Sequence, residues 1–213
     1  VNPRTCARRA LGAALAAASF GLAAPAAALP VLSEVLYDAS GSDDGSVFVE
    51  IFGLAGTSLD GLFLDGVNGS GGGVTVTVEL TGAIPADGVF VVADATGGGT
   101  TFVAGADLVT EFDFQNGPDS VVLRSETSVL DALGYGAFDP GDVFAGEGAA
   151  APDAPAGTSL ARRFADVDSD DNAADFELLS APTPGVAPVA PVPEPSLAWL
   201  LVSVWAAGAR RRG

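Results

Sequence analysis

Val74-Thr75-Val76-Thr77-Val78-Glu79-Leu80 alternates apolar and polar side chains over seven positions. Successive side chains of an extended chain point to opposite faces, so Val74, Val76, Val78 and Leu80 line one face and Thr75, Thr77 and Glu79 the other. This predicts a half-buried antiparallel strand. The same strand period, punctuated by Gly and Pro, recurs on either side at 31–37, 46–52, 61–65, 88–94, 108–112, 120–124, 129–133 and 175–179. Nine short strands separated by turn residues, with no sustained amphipathic helix among them, predict an all-β sandwich or barrel and exclude an alternating α/β sheet. The span 29–185 is long enough to bury a core without disulfides or metals. Phe48, Phe52, Phe63, Phe90, Phe112, Phe114, Tyr37 and Tyr135 fall in or beside these runs and read as core filling rather than as a sugar-binding platform.

Composition narrows the chemistry. The 213 residues include no His, Lys or Met and a single Cys, Cys6, which removes most groups that carry nucleophilic, Schiff-base, proton-shuttling or transition-metal chemistry. All 27 acids lie between positions 34 and 194, where only Arg124, Arg162 and Arg163 oppose them, a balance of −24. Such a surface repels phosphate backbones, so a nucleic-acid ligand is excluded and attraction to cations or basic partners is expected.

The two ends read differently from the middle. Residues 1–28 begin with Arg4, Arg8 and Arg9, continue apolar over 10–22 and close on small residues ending at Ala28, the three-part layout of a helical secretory signal peptide cleaved after Ala28. The adjacent Arg8 and Arg9 invite a twin-arginine reading, against which Gly12 stands where a large apolar residue is usual. Cleavage leaves an exported product without cysteine, so its stability in an oxidising compartment comes from packing. At the other end a Pro-, Ala- and Val-rich linker, 186–192, leads to Pro193, Glu194 and Pro195, an apolar segment at 197–209, and the basic stop Arg210, Arg211, Arg212. The arginines stay with the anionic cytoplasmic face and hold everything before them outside. Fourteen helical residues from Ser196 reach about 21 Å against a hydrocarbon core of about 30 Å, a short transmembrane segment suited to a temporary tether. Motif, span and basic cluster together, over 193–213, closely resemble the PEP-CTERM sorting signal of Gram-negative bacteria that make exopolysaccharide. The resemblance implies recognition of Pro193, Glu194 and Pro195 by an exosortase, transient inner-membrane anchoring, and release to the cell surface or extracellular matrix.

Within 29–185 a second resemblance rests on ordered short motifs. These are Leu32, Ser33, Glu34, Val35, Leu36, Tyr37 and Asp38; Phe48, Val49, Glu50 and Ile51; Leu59, Asp60, Gly61, Leu62 and Phe63. Leu80, Gly82, Ile84 and Pro85 follow with the strand at 88–93, then Asn116, Gly117, Asp119 and Ser120, then Asp131, Gly134 and Tyr135. Ser159, Arg162, the stretch 170–176 and the stretch 182–185 close the series. In this order they resemble the lamin tail domain in its bacterial, exported form. The resemblance implies an immunoglobulin-like β-sandwich of lamin-tail type serving as a binding or scaffold module, with no catalytic residue; fold alone does not settle function.

The strongest chemical constellation is Asp166, Asp168, Asp170, Asp171, Asn172, Asp175 and Glu177. Asp166, Asp168 and Asp170 alternate, and Glu177 falls eleven residues after Asp166, the ligand spacing of a calcium loop, which makes these four the candidate Ca2+ ligands. Asp171 replaces the Gly that such a loop needs at its sharp turn, so the alternative is that these side chains satisfy backbone donors in a turn before the last strand. Asp38, Asp43 and Asp44 read as a solvated loop. Glu50, inside an apolar run, reads as bonded to Arg162, Arg163 or a backbone amide, since an unpaired buried charge is costly. The Gly-rich stretch 69–73 lacks a phosphate-loop Lys and reads as a hairpin turn. The expectation is therefore an exported, noncatalytic cell-surface or matrix protein associated with exopolysaccharide or envelope proteins. The alternative is a secreted carboxylate-based hydrolase of extracellular polymers, which would need a second acid beside Glu50.

Overall fold

The computed structural model describes residues 29–192, and the signal peptide, the sorting motif, the apolar segment and the arginine trio lie outside them. Ten strands and one helical turn follow one another: β1 (Val31–Leu36), β2 (Phe48–Phe52), β3 (Phe63–Asn68), β4 (Val74–Glu79), β5 (Val89–Asp94), β6 (Leu108–Thr110), β7 (Asp119–Arg124), β8 (Val129–Tyr135), β9 (Ser159–Arg162), α1 (Asn172–Asp175) and β10 (Phe176–Leu179). They form a six-stranded sheet, β10-β9-β1-β2-β5-β6, and a four-stranded sheet, β4-β3-β7-β8. All neighbours are antiparallel except β5 and β6. The chain is thus an all-β sandwich, as its alternation predicts. The strand β9, placed between β1 and β10, is the one the period-two pattern does not mark.

Side chains from both sheets meet in one core. Val35, Val49, Ile51, Phe90 and Val92 of the large sheet face Leu64, Val78, Val121, Leu123 and Leu133 of the small one. Tyr37 and Tyr135 stack at 4.1 Å between ring centres, and Phe112 leans on Phe114 at 5.1 Å. A bulge in β1 decides which side chains reach this core. Its register against β2 shifts between Leu32 and Glu34, leaving Ser33 as the extra residue, so Leu32 and Val35, three apart, both point inward. Glu34 and Leu36 then face outward.

The outer face of the large sheet is also apolar. Leu36, Phe48, Val89 and Val91 form a second cluster, covered by Phe52, Val103 and Ala187. Burial on both faces explains the unbroken apolar runs at 47–49 and 89–93, which alternation alone does not call for. A third, smaller cluster of Val67, Val122 and Ala132 backs the small sheet beneath Ala145.

Strand β4 departs from strict alternation in one place. Val78 and Leu80 are buried and Val76 half-buried, but Val74 is 56% exposed. The pairing of β3 with β4 slips between Gly66 and Val67, so that Gly66 opposes Val76 and Val67 opposes Val74. Thr75 is the inserted residue, and it turns Val74 off the core face. Three apolar side chains, not four, face inward.

Candidate functional site

The turn between β9 and β10 carries the acidic constellation, and its organising residue is an arginine. Arg162, 1% exposed, donates through Nη2 to both oxygens of Asp131 (3.0 and 2.9 Å) and through Nη1 to Asp175 (2.7 Å) and Asp168 (3.2 Å). Its Nε donates to the Leu32 carbonyl at 2.9 Å, and its guanidinium lies 4.7 Å from the centre of the Phe176 ring. Asp131 accepts in turn from Leu32 N at 2.6 Å. The β1 bulge leaves Leu32 N and O to these two side chains, one from each sheet, so the network joins the layers. Burial pushes the Asp131 carboxyl upward, and the Arg162 guanidinium opposes that push.

The four candidate calcium ligands do not converge. Asp168 bonds Arg162, Asp166 accepts from Ala190 N at 2.6 Å, and Glu177 sits exposed on β10, 4.0 Å from Arg163. Asp170 takes a positive φ of 55° in the turn, its N–H donating to Asp168. Asp171 caps α1 by accepting from Ala173 N, and Asn172 is wholly buried as a suture. Asn172 Oδ1 accepts from Gly134 N (2.8 Å) and Glu147 N (2.9 Å), while Nδ2 donates to the Ala132 carbonyl (2.8 Å), sealing the free edge of β8. The oxygens of Asp166, Asp168, Asp171, Asn172 and Asp175 thereby serve backbone donors or a guanidinium, as the turn-forming alternative has it, while Asp170 and Glu177 stay exposed.

Among the described residues one set of three carboxylates brings its oxygens within 4.8 Å: Asp131, Glu147 and Asp168. It shares only Asp168 with the sequence-derived set. Glu147 Oε2 is the one buried side-chain oxygen or nitrogen there without a hydrogen-bond partner. Burial, then the charges of Asp131 and Asp168, raise the Glu147 carboxyl to about 8. At neutral pH Glu147 thus holds a proton, which relieves the excess of acids over the single guanidinium.

A second arrangement lies on the outer face of the large sheet. Glu34 and Glu50 are direct cross-strand partners of β1 and β2, 1% and 0% exposed. Neither is bonded to an arginine. Glu50 accepts from Ser33 Oγ (2.7 Å) and Gly185 N (2.8 Å), and Glu34 from Ser159 Oγ, Thr183 N and Thr183 Oγ1. Of the partners expected for Glu50, Arg162 bonds Asp131 and Asp175 and Arg163 lies by Glu177, so the backbone amide, that of Gly185, is the one found. Burial raises the Glu50 carboxyl, and the bonds from Ser33 and Gly185 hold it back. The two acids clamp a strap, residues 183–190, that runs back over the sheet. Ala187 packs on the outer apolar cluster, the Pro188 carbonyl accepts from Ala165 N at 2.7 Å, and Ala190 N reaches Asp166. Segment 186–192, read as a linker, is held to the sandwich at Ala187, Pro188 and Ala190, while Val186, Val189 and Val192 stay exposed. Nothing in the run around Glu34 points to its partner Thr183, 149 residues away.

Concavities of differing character open on the surface of the described residues. An apolar groove of about 740 Å³ is lined by Leu29, Val31, Phe52, Leu54, Leu130 and Val189 among others. A bowl of about 550 Å³ gathers Asp43, Asp44, Asp94, Glu111 and Asp113, where burial and then Asp43 and Asp94 raise the Asp113 carboxyl. A polar cleft of about 350 Å³ presents Asn68, Ser70, Gln115, Asn116, Asp139 and Asp142. Pro193, Glu194, Pro195, Arg210, Arg211 and Arg212 lie outside the described residues, within which no helix is long and apolar enough to cross a membrane.

No family model, no curated protein and no solved structure matches the chain.

Proposed function

We propose that the chain is an exported, noncatalytic β-sandwich of the immunoglobulin-like, lamin-tail type, held briefly at the inner membrane by its C-terminal segment and sorted from there to the cell surface or matrix by an exosortase. The observation that carries this reading is the course of the strap. It brings Val189 to the groove that Leu29 also lines, so the described residues begin and end at one end of the sandwich, as suits a cargo delivered from a C-terminal membrane tether.

Two further features support a binding or scaffold role. The second carboxylate that a hydrolase would require exists, in Glu34, but both members of the pair are buried beneath residues 183–185 with their oxygens occupied by donors. A retaining or inverting pair must reach its substrate. The exposed side instead offers the acidic bowl and the polar cleft, with carboxylate and amide groups suited to hydroxyl-rich polymer or to basic envelope proteins. The turn between β9 and β10 needs no resident Ca2+ in this reading, since its buried acids already bond Arg162 or backbone donors.

Intact mass spectrometry of the protein recovered from envelope and medium tests the proposal. The expected product begins at Leu29 and ends near Pro193. A cytosolic protein carrying all 213 residues would overturn it.

A further inference from the structure

We propose that the apolar groove is a membrane-docking surface, seated on the bilayer that receives the C-terminal segment; this rests on the sorting reading above. The groove lies at the end of the sandwich where β1, β5, β8 and β10 start and β2 and β9 finish, since its lining combines Leu29, Val31, Phe52, Leu54, Gly88, Leu130 and Ala165. Leu29 and Leu54 are each 62% exposed there and Val189 53%. Exposed apolar side chains gathered at one mouth mark an interaction surface, whereas isolated ones do not.

Chain length selects the occupant. The strap is fixed as far as Ala190 by its bond to Asp166. From Ala190 to Leu197, where the apolar segment starts, are seven residues, a reach of about 25 Å at most. A domain of this length has a radius of gyration of about 15 Å, so it is wider than the stand-off that tether permits. Once 197–209 enters lipid, the end that releases Val192 faces the bilayer, and the groove is on that end. Charge disfavours a second copy, because Asp87, Asp166 and Asp168 line the same groove in a domain already strongly acidic. The same three acids set the lipid: zwitterionic headgroups are accepted and anionic ones repelled.

The test uses the full chain, with Cys6→Ser, in phosphatidylcholine vesicles containing a nitroxide-bearing phosphatidylcholine. An environment-sensitive fluorophore is attached through Leu54→Cys or, at the opposite end of the sandwich, through Val74→Cys; both sites are exposed. Trp199 and Trp205, the only tryptophans, report insertion of the tail in the same sample. The expected result is quenching of the tryptophans, at least about twofold quenching at Leu54→Cys, none at Val74→Cys, and weaker quenching at Leu54→Cys when anionic lipid is added. Val189→Asp, at an exposed position, is expected to reduce the Leu54→Cys signal to the Val74→Cys level. Quenched tryptophans with an unquenched Leu54→Cys label overturn the docking proposal and leave the sorting reading standing. Unquenched tryptophans overturn both. A blue-shifted Leu54→Cys label without lipid quenching overturns docking in favour of the tail itself, or of a second copy if the shift grows with protein density.

Discussion

Arg162 on β9 and Asp131 on β8 face each other across the two sheets as a two-pronged ion pair, with both side chains fully withdrawn from solvent. The attraction between them is offset by the desolvation of both charges, but removing one partner leaves the other buried alone. Arg162→Met would strand Asp131 and Asp175 together, and is expected to cost about 3–5 kcal/mol. For a domain of this size that lowers Tm by about 10 °C. The double variant Arg162→Met with Asp131→Leu should lose less than the sum of the single losses, because Asp131 is no longer left as a stranded charge beside Asp175. Denaturant melts of the four proteins measure this; additive losses would show that the two side chains stand independently.

Glu147 gives the network a pH dependence. Its carboxyl is raised to about 8 by burial and by Asp131 and Asp168, above the ordinary value of the unfolded chain. The folded state therefore holds a proton that the unfolded state has released. Stability from this group is complete below the ordinary carboxyl value and is lost as pH rises through about 8. Glu147→Gln mimics the protonated form without titrating, so its Tm should change less than that of the native chain between pH 5 and pH 9 and exceed it at pH 9. Parallel Tm curves for the two proteins would show that Glu147 is not shifted.

A calcium requirement should be absent. Asp166, Asp168, Asp170 and Glu177 are spread among Ala190 N, Arg162, a turn and an exposed strand face, and the nearest carboxylate cluster is served by a guanidinium and a proton. Tm in millimolar calcium and Tm in chelator are expected to agree within about 1 °C. An ion that binds only the folded state at a hundred times its Kd would add about 2.7 kcal/mol and a plainly visible shift.

The sandwich was legible because burial on one face writes a period of two into the chain, and eight strands besides the opening one follow from it. Where the reading fails, the cause is local. A bulge adds one residue without changing composition, so nothing in Val74-Thr75-Val76 announces that Thr75 is inserted. Strand β9 has only four residues, with Arg162 buried as an ion-pair hub rather than an apolar side chain, and escapes an apolar template. The ligand spacing from Asp166 to Glu177 was visible, but spacing cannot show that Asp168 turns to Arg162 while Glu177 faces outward. Glu50 was recognisable as a charge in an apolar run; its partners Ser33 and Gly185 depend on a strap that only tertiary structure reveals.

The Glu50 clamp separates a structural acid from a catalytic one. Glu50→Ala leaves Gly185 N and Ser33 Oγ without their acceptor and is expected to cost about 1–3 kcal/mol, with protease cleavage appearing first within 186–192 as the strap lifts. Glu50→Gln keeps the shape and an acceptor for Gly185 N, so the strap should stay protected. Because burial raises the Glu50 carboxyl, the stability linked to its proton is present at low pH and lost as pH rises through its folded value. Glu50→Gln, which has no such loss, should gain on the native chain as pH increases. Limited proteolysis read by mass spectrometry, with melts over the same pH range, checks both expectations. If Glu50→Gln frees the strap as readily as Glu50→Ala does, the carboxylate charge itself is what holds residue 185 in place, and the buried pair is an electrostatic latch rather than a neutral hydrogen-bonded clasp.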